Sequence, residues 1–346
     1  MLYCGVDLHK KFSYITTMDK EGKYKEQKKV INDELPHYFD SLSEDTKVAV
    51  EATSNWYNFY ELIEDKVSSV DLAHPLKTRA IAEAKVKTDK VDSTILAHLL
   101  RTDLLPTSYI PPKEVRDTRE LLRYRASLVR LRTQIKNKIH AILLKNGISH
   151  PFSDLFGKGG LKFLKELPLR EAYKVPLEGY IQALENLSFL IKEISKHIDT
   201  LANKDDNVKL LMTIPGIGAY SAMLIMSEIG DIARFHSKKH LSSYAGLVPS
   251  TRSSANKIRH GHITTGGSKW LRWILIEAAQ KAYLYKGPLY SFYQRIRYKK
   301  GYQKAVVALA RKISIIIYYI LKNKVTFQYF ISNYRSSQPV DYMVSK

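Results

Sequence analysis

The chain has 346 residues, 45% hydrophobic and 26% charged, an ordinary mixture for a folded protein and enough length for two cores. Lys and Arg number 55 against 34 Asp and Glu, a net charge of +21 that points to a polyanionic partner, DNA or RNA. Cys4 is the single cysteine, which excludes an intrachain disulfide and a cysteine zinc site. No secretory leader is apparent and the late apolar run "SIIIYYIL" is too short for a bilayer, so a cytoplasmic protein with no membrane partner is expected.

In chain order, "LYCGVDLH" and "FSYITTMD" are rich in strand formers, and "KEGK" turns the chain into a third strand, "YKEQKKVI". "VAVEAT" is a further buried strand, a helix follows from about Trp56 to Lys66, and "SVDLA" is a short strand. A helix opens at Asp89 and Asp92 and runs to about Leu100. Hairpin strands followed by strands alternating with helices predict a mixed α/β sheet.

From about Val115 to Leu144 the pattern becomes a long amphipathic helix with Leu121, Leu128, Ile135 and Ile142 every seven residues. Arg123, Arg125, Arg130, Arg132, Lys136 and Lys138 lie between them, with few acids nearby, and predict a face for phosphates. Leu177, Tyr180, Leu184, Leu187, Ile191, Ile194, Ile198 and Leu201 alternate spacings of three and four. That seam predicts a coiled coil, either on the first long helix or with another chain. From Asp206 onward, "LMTIPGIGAYSAMLIMSEIGD" reads helix, glycine turn, helix, and a basic helical tail includes Ala305 to Lys322. The expected domains are 1–110, 111–205 and 206–346.

Asp7 sits between Val6 and Leu8 in the first strand, and Glu51 ends the apolar strand "VAVEAT". A carboxylate there costs stability unless something compensates it. Asp89 and Asp92, at i and i+3, share one helix face. Four carboxylates from two strands and a helix, meeting at one sheet edge, would bind Mg2+, with Mn2+ as a possible substitute. The plainer reading of Asp89 and Asp92 is ion pairing with Lys85, Lys87 and Lys90. In "PGIG", Gly216 and Gly218 would let backbone N–H groups approach a phosphate, as in a helix-hairpin-helix, or would only join two packed helices.

"GVDLHK", "VEATSNWY" and "KTDKVDS", in that order, resemble the N-terminal domain of the DEDD-type insertion-sequence transposases of the family numbered one-hundred-and-ten. "LMTIPGIGAYSA", "YAGLVPSTRSSANK" and "GHITTGGSKWLRWILIEAA" resemble that family's C-terminal transposase domain, so the likeness covers most of residues 1–285. The resemblance implies an RNase H-like (RuvC-like) α/β N-terminal domain, a long helical coiled-coil segment and a mostly α C-terminal domain with a helix-hairpin-helix. It implies a serine nucleophile at Ser254, before Ala255 where the family usually has glycine, with Ser253 as the alternative. Arg252, Lys257 and Arg259 would hold the phosphate, and Lys269 and Arg272 join them as candidate nucleic-acid contacts.

The resemblance further implies a DNA transposase or recombinase that forms a covalent phosphoserine. It implies a structured guide (bridge) RNA, and a homo-oligomer, dimer or tetramer, with active sites shared between subunits. A tyrosine recombinase is disfavoured: no histidine of the C-terminal half has arginine three residues later, and His98 with Arg101 lies on the acidic helix. The competing readings are a Holliday-junction nuclease acting by hydrolysis and a non-catalytic nucleic-acid scaffold.

Overall fold

The computed structural model describes residues 1–82, 88–254 and 257–336, with the backbone alone at 252–254, 257, 258, 260 and 334–336. The chain divides into two compact units, Met1–Pro111 and Pro112–Lys346.

The first unit is built on β1 (Tyr3–Leu8), β2 (Phe12–Met18), β3 (Tyr24–Ile31), α1 (Leu35–Asp40), β4 (Lys47–Glu51), α2 (Trp56–Ile63), β5 (Ser69–Ala73), α3 (Pro75–Ile81) and α4 (Asp89–Arg101). Strand order is β3-β2-β1-β4-β5; β1, β2 and β3 pair antiparallel, while β4 runs parallel to both β1 and β5. Alternation along β1 feeds two cores, one on each face of the sheet. Cys4, Val6 and Leu8 join Val48, Val50, Phe39, Phe59 and Ile63 on the side of α1 and α2. Tyr3 joins Met18, Ala49 and Ala73 on the other side, against Leu96, Ala97 and Leu100 of α4. The outer strand β3 is largely exposed and carries Lys25, Glu26, Lys28 and Lys29, charges that discourage edge pairing.

Helix α4 lies on bare backbone. A Cβ added at Gly5 would meet the Ser93 carbonyl oxygen at 2.0 Å and the Ala97 nitrogen at 2.4 Å. Thr16 Oγ1 and Ser93 Oγ share a buried hydrogen bond of 2.8 Å, and Gln27 Nε2 donates to Thr94 Oγ1 at 2.9 Å. Thr88 caps the helix by accepting from the Val91 N–H, and Asp89 and Asp92 occupy its first turn, where the helix dipole favours acids.

The second unit contains α5 (Lys113–Lys145), α6 (Lys158–Glu166), α7 (Glu171–Ala202), α8 (Asp206–Met212), α9 (Ala219–Ile229), α10 (Lys238–Tyr244), β6 (Pro249–Ser254), β7 (Lys257–Ile263), α11 (Lys269–Ala282), α12 (Pro288–Lys300), α13 (Tyr302–Asn323) and α14 (Phe327–Ser336). The long helices α5 and α7 pack antiparallel: Arg125 meets Ser195 near one end, and Ile139, Ile142 and Leu143 join Leu177 and Ile181 near the other. Leu177, Leu184, Ile191 and Ile198 of the heptad seam are buried, so within one chain α5 and the following helices fill it. Helix α13 runs through a core shared with α8, α9 and α11. Among the described residues no helix is long and apolar enough to cross a membrane.

Pro249–Ser254 and Lys257–Ile263, with too little apolar alternation to read as strands, form the antiparallel ribbon β6–β7. Gly5→Ala is expected to push α4 off the sheet and destabilise the first unit by about 1–3 kcal/mol, the usual range for overpacking, read as a lowered unfolding midpoint.

Candidate active site

Asp7 lies near the end of β1, on the α4 face of the sheet, and its side chain is 15% exposed. Pairing Val6 with Val50 puts Glu51 at the adjacent strand end, on the same face as Ala49. Asp89, first residue of α4, reaches the same place because Gly5 lets the helix come close.

Just past β1 stands His9. Its Nε2 lies 3.2 Å from an Asp7 carboxylate oxygen and 3.3 Å from one of Asp89. Nε2 itself is buried and makes no in-line hydrogen bond to either. The main chain at His9 is anchored on three sides. Its N–H donates to the Phe12 carbonyl at 3.0 Å, and its own carbonyl accepts from Asn32 Nδ2 at 2.9 Å and Asn55 Nδ2 at 3.0 Å. Asn55 stands at the N-cap of α2 but does not cap it with its side chain; the amide is engaged at His9 instead. The imidazole also packs on the Phe12 ring, centroids 4.7 Å apart.

Ligand atoms of Asp7, His9 and Asp89 all lie within 4.8 Å of one another. Burial pushes the Asp7 carboxyl above the usual carboxylate range; His9 opposes this, and the Asp89 and Asp92 charges add to it. Asp7 and Asp89 are thus brought together, and Asp92 acts on Asp7 from one turn along α4. Glu51 and Asp92 are outside the tight group. Two carboxylates with an imidazole nitrogen beside them form a donor set that suits a divalent cation. The sequence reading missed His9, although its place two residues after Asp7 was a usable signal. Asp89 pairs with His9; Lys85 and Lys87, its suggested partners, lie outside the described residues.

The predicted phosphate face of α5 divides. Arg123 Nη2 donates at 3.0 Å to Glu228, which is 3% exposed, and Arg125 Nε donates at 2.8 Å to Ser195 while its guanidinium lies 4.1 Å from the Tyr220 ring centroid. These two arginines also tie helices together, through a buried acid on α9 and a hydroxyl on α7. Arg130 and Lys138 are exposed, and Arg132 and Lys136 are half-buried, with Lys136 Nζ 4.5 Å from the Phe156 ring centroid.

Gly216, at φ +89°, sits where a Cβ would strike the Ala278 carbonyl oxygen and the Ala282 nitrogen of α11, both at 2.6 Å. It is closely packed on α11, whereas Gly218, at the start of α9, has open space around it. Lys269 is exposed at the start of α11. Arg272 is half-buried: its Nη1 donates to the Thr265 carbonyl at 2.9 Å and approaches those of Ala245 and Gly266 at 3.4 Å. It thereby ties α11 to the base of the β6–β7 ribbon.

Ribbon register sets Arg252 opposite Arg259 and Ser254 opposite Lys257, while Ser253 pairs with Ile258. Arg259 is exposed, and Ala255 lies outside the described residues.

Residues 4–146 match the DEDD transposase domain of IS110 elements, and residues 208–294 match the Transposase IS116/IS110/IS902 family. The chain is 29% identical over 228 residues to the transposase for insertion sequence element IS1111A of Coxiella burnetii, covering 62% of this chain and 61% of that protein. It is 31% identical over 187 residues to the transposase for IS1328 of Yersinia enterocolitica, covering 52% and 51%. It is 28% identical over 174 residues to the pilin gene-inverting protein of Moraxella bovis, covering 48% and 54%. The matched region spans about half to three fifths of these relatives.

Because its folded carboxyl is harder to ionise than a free one, Asp7 costs the cation-free protein stability as pH rises from ~4, the ordinary Asp value. Asp7→Asn is therefore expected to raise the unfolding midpoint in EDTA at neutral pH by a few degrees and to flatten that pH dependence. It should also abolish any stabilisation by added Mn2+, all three effects being read by thermal unfolding.

Proposed function

We propose that this chain, similar to the IS116/IS110/IS902 transposases over residues 4–146 and 208–294, is a DNA recombinase of a mobile insertion sequence, using a carboxylate site and a serine. The observation that carries the proposal is the gathering of Asp7 and Asp89, with Asp92 acting on them, inside the DEDD domain. Beyond their pairing with His9, acids packed this closely suit a cation-dependent reaction on a polyanion. Glu51 completes the set from the neighbouring strand end.

A divalent cation, Mg2+ or Mn2+, would offset charge on the reacting phosphate and leaving oxygen when bound by Asp7, Glu51, Asp89 and Asp92. The chain's residues do the rest. Ser254 Oγ attacks a DNA phosphorus; the Oγ–P bond forms as a P–O bond to a deoxyribose oxygen breaks, and that oxygen leaves as a hydroxyl after taking a proton. A second strand's hydroxyl then attacks the phosphoserine, restores Ser254 and reseals the backbone, so the bond energy is conserved. Ser254 is taken over Ser253 on the family resemblance, and Arg252, Lys257 and Arg259, close to it along the ribbon, would hold the phosphate and its developing charge.

The +21 charge, with exposed Arg130 and Lys138 on α5, suits backbone contact to DNA and to a structured RNA. On this reading a guide RNA chooses sites by base pairing while the protein holds backbone shape. The working unit is a homo-oligomer in which the carboxylates of one subunit act with Ser254 of another.

Ser254→Ala is expected to abolish the covalent protein–DNA adduct on denaturing gels and to lower recombination at least a hundredfold, with Ser253→Ala retaining both. Asp89→Asn should lower strand transfer by a comparable factor. Undiminished Mg2+-dependent cleavage by Ser254→Ala, without any adduct, would make the chain a hydrolytic junction nuclease instead.

A further inference from the structure

We propose that His9 is a nitrogen ligand of the cation site formed by Asp7 and Asp89, and that it tilts the site toward first-row transition ions such as Mn2+ over Mg2+. The inference rests on the cation-site reading above and adds to it a donor outside the four carboxylates. Three observations carry it.

The first is distance. Nε2 stands 3.2 Å and 3.3 Å from oxygens of two carboxylates that belong to different elements, β1 and α4. Adjacent donors around an octahedral ion with bonds of about 2.1–2.2 Å lie about 3 Å apart, so Nε2 stands close to that separation from each oxygen, and the two oxygens lie within 4.8 Å of each other.

The second is the state of the nitrogen. Nε2 is shielded from solvent yet has no in-line hydrogen bond. Its polar neighbours are the Asp7 and Asp89 carboxylates, held off line, and a cation seated among them would bind all three groups at once. The third is the anchoring behind it. Two asparagine amides on the His9 carbonyl, the N–H bond to Phe12 and the Phe12 ring against the imidazole fix the backbone and plane from which Nε2 projects. Ordered support of this kind presets a ligand.

The consequence is selectivity. Mg2+ favours an all-oxygen shell, whereas imidazole suits transition ions. One nitrogen among the carboxylates therefore gives Mn2+ an advantage that the acids alone would not.

The test uses the full chain with Mn2+ as the probe. Pulsed electron paramagnetic resonance of bound Mn2+ is expected to show coupling to an imidazole nitrogen, which changes isotope pattern on selective 15N-histidine labelling and vanishes in His9→Phe. His9→Phe should also weaken Mn2+ binding about tenfold or more, while Mg2+ binding changes less than about twofold. The labelling arm needs no substitution, so it stands even if the variant folds poorly. Mn2+ bound through Asp7, shown by its loss in Asp7→Asn, but without nitrogen coupling would overturn the role of His9 and leave the carboxylate reading in place. Mn2+ binding unchanged by Asp7→Asn would overturn both.

Discussion

Helix α4 touches β1 where β1 has no side chain. At Gly5 the helix backbone comes so near that a methyl group would lie 2.0 Å from the Ser93 carbonyl oxygen. That approach sets the height of α4 above the sheet, and the Thr16–Ser93 bond fixes its slide. Asp89 and Asp92 begin the same helix, so their distance from Asp7 follows from the Gly5 contact. A larger residue would leave each acid in place along the sequence and separate them in space. Helix capping at Thr88 and the helix dipole then make the first turn a tolerable place for two acids.

The second unit is organised around a different buried charge. Glu228, near the end of α9, accepts from Arg123 on α5 and from Ser268, the cap of α11. Carbonyls of the last turn of α9 take Arg119 and Arg234: Arg119 Nε reaches Ser227 at 2.7 Å and Arg234 Nε reaches Ile229 at 2.7 Å. Cations at a helix C-terminus complement its dipole, and a buried acid with several donors is stable where a lone one is not. Part of the positive charge of this chain thus holds helices together. The ribbon bearing Ser254 rises next to this network, on a base where Gly267 meets the Tyr244 carbonyl with no room for a side chain and Arg272 bridges three carbonyls.

Much of the first unit was legible in the sequence, for a physical reason. Asp7 and Glu51 stand out because a carboxylate in an apolar strand has to be compensated, and Asp89 and Asp92 because three residues make one helix face. The three hairpin strands and the helices from Trp56, Asp89 and about Val115 are found near their expected places. What the sequence did not show needed knowledge of the partner. Arg123 meets Glu228, 105 residues away, only once the helices pack. Gly216 lies against α11, a contact that no local pattern announces. The ribbon of β6 and β7 has charges where strands usually alternate apolar residues, and His9 gains meaning only when α4 returns to β1.

Diffraction from crystals of the full chain grown with Mn2+, recorded at the Mn absorption edge, tests the central claim most directly. The account predicts an anomalous peak about 2 Å from carboxylate oxygens of both Asp7 and Asp89. Glu51 and Asp92 should be drawn toward it. Millimolar Mn2+ giving no peak there, or peaks only at scattered surface acids, would contradict the account.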